Sequence, residues 1–135
     1  MEPKVQVAHE TVQRGAAPDR WQIAWQIKNL GDRSLEILAA RLPHGKFRSE
    51  EKEFAPAVRL ESKQSETIEL EVRCHEPPGT IVENAFLIMR VLWIGQAWLI
   101  LARLRVSVNG EGMPLTTTEL ITTQPVGFSA RSEES

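Results

Sequence analysis

The chain has 135 residues, 41% of them hydrophobic, with 16 Lys+Arg against 18 Asp+Glu, a formal net charge of −2 and a single cysteine. That length supports one domain with its own core. The charge balance lacks the basic stripe of a nucleic-acid binder, and a lone cysteine excludes an intramolecular disulfide framework and fits a reducing compartment.

The first residues, MEPKVQVAHETVQRG, contain no apolar signal-peptide core, so the expected location is the cytoplasm. A fragment of a longer secreted chain would read the same. Lys4–Ala8 alternates weakly and reads as a first strand, and GAAPD at 15–19 as a turn or loop. Trp21, Ile23, Trp25 and Ile27 then alternate with Gln22, Ala24, Gln26 and Lys28, the cleanest half-buried strand in the chain. Asn29–Asp32 ends it with turn chemistry. Leu35, Leu38 and Leu42 recur at helical spacing, yet the neighbouring strands favour a strand with a bulge or with both faces buried. A turn at 43–46 leads to EEKE at 50–53, expected as a solvated loop, and Val58 and Leu60 mark a short strand. After a polar turn at 62–65, Ile68, Leu70 and Val72 point inward and Glu69, Glu71 and Arg73 outward, with Cys74 keeping the inward phase.

EPPGT at 76–80 breaks the chain before its most apolar stretch, ENAFLIMRVLWIGQAWLILARLRVSV at 83–108. The run from Ala85 to Ala102 has the length of a transmembrane helix, about 18 residues. Arg90 inside it, costing about 2.5–3.5 kcal/mol at mid-membrane, and the central Gly95 among strand-favouring neighbours argue instead for a hairpin. With a loop at Trp93–Gln96 and a positive φ at Gly95, the pairs are Leu92–Ala97, Val91–Trp98, Met89–Ile100, Leu87–Ala102 and Ala85–Leu104, all apolar. The opposite face carries Phe86, Ile88, Arg90, Leu92, Leu99, Leu101 and Arg103, too apolar for an ordinary solvated sheet surface. Asn109–Gly112 is a turn, and the Thr-rich 113–124 adds a strand or a clasp.

Short strands with turn signals between them predict an all-β fold, a two-sheet antiparallel immunoglobulin-like sandwich of about seven to nine strands. The long C-terminal hairpin sits in the centre of one sheet. One domain is expected over 1–128, with 129–135 as a polar tail. The strand WQIAWQIKN followed by LGD, the segment VRLESKQSETIELEV and the closing hairpin together resemble bacterial immunoglobulin-like or fibronectin-like modules of the CARDB type. The chain departs from antibody-type domains in having no cysteine pair and no tyrosine for a tyrosine corner. The resemblance implies a non-catalytic spacer or binding unit.

Candidate chemistry is sparse. Cys74 and His75 are adjacent on a strand and diverge to opposite faces, which leaves Cys74 as a small buried hydrophobe. His9, His44 and His75 lie in unrelated segments without metal-ligand spacing and are expected to be solvated. No nucleophile elbow, phosphate loop or zinc-protease motif is present, so no catalytic residue, metal or cofactor is expected. An enzyme would need a cleft lined by His44 or His75. Trp21, Trp25 and Trp98 occupy inward phases, whereas Phe47, Phe54 and Trp93 border loops and could form an exposed patch for a sugar or peptide. The leading expectation is a non-enzymatic protein-interaction module that self-associates as a homodimer through Phe86, Ile88, Arg90, Leu92, Leu99, Leu101 and Arg103. The competing expectation is that the segment at 34–42 or 113–128 covers that face from within the chain.

Overall fold

Period-two alternation of apolar and polar residues carries almost the whole architecture. In the computed structural model, which describes residues 1–43 and 45–126, these residues form eight strands and no helix. The strands are β1 (Val5–Arg14), β2 (Arg20–Asn29), β3 (Leu35–Leu42), β4 (Phe47–Leu60), β5 (Ser65–Cys74), β6 (Ile81–Trp93), β7 (Gln96–Val108) and β8 (Pro114–Pro125). Every pairing is antiparallel, in the order β1-β2-β5-β4-β3-β6-β7-β8. No helix among the described residues is long and apolar enough to cross a membrane.

The β6–β7 hairpin has the register that its apolar pairs dictate: Leu92↔Ala97, Val91↔Trp98, Met89↔Ile100, Leu87↔Ala102 and Ala85↔Leu104. The ladder runs one pair further than expected, to Trp93↔Gln96, leaving a two-residue turn at Ile94 and Gly95 with φ of 50° and 71°. Positive φ at both positions matches the right-handed twist of the flanking strands. The inward residues Leu87, Met89, Val91, Ile100, Ala102 and Leu104 are fully buried. They pack with Ile23, Trp25 and Ile27 of β2 and Ile68, Leu70 and Val72 of β5 in one core.

Leu35–Leu42 is a strand with a register shift between Ile37 and Ala39, so Leu38 is the extra residue of a bulge. The helical spacing of its leucines is a by-product of that bulge. Residues 50–53 are not a loop: they lie inside β4, where Lys52 pairs with Ala40 and Glu53 with Ala39. The charges of this stretch stay exposed while its backbone is held by β3. The expected short strand at Val58 and Leu60 is the far end of the same long strand.

The ladder between β4 and β5 is short, only Phe47↔Cys74 and Arg48↔Arg73. β1 and β8 end the strand order, yet they come alongside each other. His9 on β1 bonds Thr116 on β8, and the Thr123 hydroxyl donates to the Glu2 carboxylate. The eight strands therefore curl into a nearly closed, barrel-like arrangement without a plain division into two sheets. His44 and residues 127–135, including the expected polar tail, lie outside the described residues.

Candidate functional site

All seven residues anticipated for the outer face of the hairpin share that face. Phe86 pairs with Arg103, Ile88 with Leu101 and Arg90 with Leu99. Leu92 is 36% exposed, and the other six are half-buried by their neighbours on the face. The segments at 34–42 and 114–125 do not lie over this surface. They pair edge to edge with it, β3 beside β6 and β8 beside β7, and so widen it. Leu120, 48% exposed, joins it opposite Arg103, because a register shift between Arg103 and Leu104 makes Glu119 an extra residue and moves the following side chain outward.

The two arginines of the face are engaged with carboxylates on flanking strands. Arg90 lies 3.6 Å from both Glu51 and Glu53, and Arg103 lies 3.9 Å from Glu119. Ala39 stands between Arg90 and Glu53 in one row across β6, β3 and β4, where its short side chain leaves room for the guanidinium to reach across. Glu51 and Glu53 were missed as part of this face because the residues around them read as a loop. The result is an apolar stripe with Arg90 and Arg103 set within it, each reaching towards a carboxylate on another strand. The outer surface of β1, β2 and β5 is of another kind: it presents Gln6, Gln26, Thr67 and Glu69, all exposed.

The expected aromatic patch does not assemble. Phe47 is 1% exposed, because it opens β4 in the inward phase opposite Cys74. Trp93 is 8% exposed: the inward phase of β6 continues through it, and its ring meets Trp98 edge-on at 5.9 Å. Phe54 is half-buried against the core, with Lys52 Nζ 5.7 Å from its ring centre. These three rings are not available together for stacking on a ligand.

His9 also departs from the solvated state expected of it. It sits where β1 slips register against β2, between His9 and Thr11. Its Nδ1 is 3.0 Å from the Thr116 hydroxyl and accepts from the Thr116 N–H at 3.3 Å. Desolvation lowers its pKa below the ordinary 6.5. His75 is exposed, and Cys74 is buried, its thiol pKa raised first by desolvation. Among the described residues, no three His, Cys, Asp or Glu side chains are grouped to hold a metal ion. A scan of protein-family models found no match to the chain, and a search of curated proteins found none either.

Proposed function

We propose that the protein is a non-catalytic interaction module that pairs with a second copy of itself through the outer face of β3, β6, β7 and β8. The observation that supports this reading is the asymmetry between its two outer surfaces. One presents glutamine, threonine and glutamate with Arg20 and Arg73 at one end; the other is a stripe of Phe86, Ile88, Leu92, Leu99, Leu101 and Leu120. Four strands about 4.8 Å apart and some seven residues long span on the order of 400 Å² in projection, about half of the ~800 Å² per partner of a standard interface. Arg90 with Glu51 and Glu53, and Arg103 with Glu119, set charges of both signs in and beside the stripe.

In this reading the fold is an immunoglobulin-like sandwich of the CARDB kind, with β1, β2 and β5 as one sheet and β4, β3, β6, β7 and β8 as the other. The strand order and the short β4–β5 ladder are in keeping with it. Cysteine-specific cross-linking tests the association. A Leu99→Cys variant treated with a bis-maleimide should give a covalent dimer, and a Gln26→Cys variant on the polar surface should not. Equal yields from both would remove the proposed face.

A further inference from the structure

Three arginines stand in one row across β2, β5 and β4. Arg20 pairs with Arg73, and Arg73 pairs on its other side with Arg48. Directly opposite positions in an antiparallel ladder share a face and lie close together, and like charges there repel. The three line a hollow of about 210 Å³ with Ser49, Glu50 and Glu71. Two carboxylates are thus at hand, yet among the described residues neither Arg48 nor Arg73 forms an ion pair. Arg20 reaches only Asp19, at 3.8 Å, and its Nε is buried without a hydrogen-bond partner. Elsewhere on the surface Arg59, Arg90, Arg103 and Arg105 each find a glutamate. Among the described residues Arg14, Arg33 and Arg41 form no ion pair either, so what sets this row apart is the direct alignment of three cations around one hollow.

We propose that Arg20, Arg48 and Arg73 form a binding site for a phosphoryl group. Guanidinium forks match tetrahedral oxyanions through paired N–H donors, and a doubly charged phosphate relieves the mutual repulsion of three aligned cations. Glu50 and Glu71 border the hollow and disfavour an extended polyanion, which fits a small ligand rather than a nucleic-acid backbone. The row lies away from the apolar stripe, so its occupancy does not depend on the proposed dimer.

The test is titration of the full chain with inorganic phosphate and, separately, with O-phosphoserine. Arginine Nε–H resonances and the thermal midpoint are followed at constant ionic strength with chloride as reference. Saturable shifts at Arg20, Arg48 and Arg73 are expected. Arg73→Gln should weaken binding about tenfold or more, Arg73→Lys should lose the fork and weaken it too, and Arg59→Gln should leave it unchanged. A response to phosphate alone identifies a free-anion site, and a response to both identifies one open to phosphomonoesters. No shift beyond chloride, or an equal response in Arg73→Gln, overturns the proposal.

Discussion

The indole N–H of Trp25 donates to the hydroxyl of Thr116 at 2.9 Å, a bond between side chains 91 residues apart. Thr116 in turn meets His9 Nδ1 at 3.0 Å, so one hydroxyl joins β2, β8 and β1. β1 and β8 are the two ends of the strand order, with no backbone ladder between them. The Thr116 N–H, which a neighbouring strand would otherwise accept, is satisfied by the imidazole. The seam is closed here by side chains.

Thr116→Val keeps the shape of the residue and removes the hydroxyl, leaving the buried Trp25 N–H without an acceptor. A loss of about 1–3 kcal/mol is expected by urea denaturation. An unchanged midpoint would show that the bond does not contribute.

His9 gives the seam a pH dependence. To accept from the Thr116 N–H its Nδ1 must be unprotonated, and desolvation lowers its pKa below 6.5. As pH falls, the unfolded chain therefore takes up this proton first. The His9 contribution is full above about pH 6.5 and is lost as pH falls through the folded value. Denaturation midpoints measured from pH 7.5 downward should show a decline that a His9→Gln variant lacks.

Ile94 occupies the first turn position of the β6–β7 hairpin with φ of 50°, a region disfavoured for a β-branched residue. Ile94→Asn creates the Asn-Gly pair that this turn geometry prefers. Stability should rise by about 1 kcal/mol, read as a higher urea midpoint.

Leu87 is fully buried on the inward face of β6. Leu87→Ala should cost about 2–5 kcal/mol through lost transfer energy and the cavity left behind. A thermal midpoint near that of the wild type would place Leu87 outside the core.

The hairpin register was legible because every inward pair is apolar, and a one-residue slip would turn that whole set outward. That Leu35–Leu42 is a strand was legible from its neighbours, but apolar residues on both phases fit a bulge or two buried faces equally, and only the pairing with β6 places the bulge at Leu38. β4 was not legible. Its middle residues, Glu50 to Glu53, are exposed throughout, so no period-two pattern survives in the side chains. Trp93 and Phe47 were misplaced because each lies at a strand end, where one residue of ladder decides between tip and core. The Trp25–Thr116–His9 link and the arginine row have no local signature. Each residue looks ordinary on its own strand, and only the strand order brings them together.

The central claim is self-association through the apolar outer face, and sedimentation equilibrium tests it most directly. Wild type, Leu99→Glu and Gln26→Glu are compared over micromolar concentrations, with circular dichroism to establish that all three fold. The account predicts a dimer for wild type and Gln26→Glu and a folded monomer for Leu99→Glu. A monomeric wild type, or a Leu99→Glu variant that remains dimeric, would contradict it.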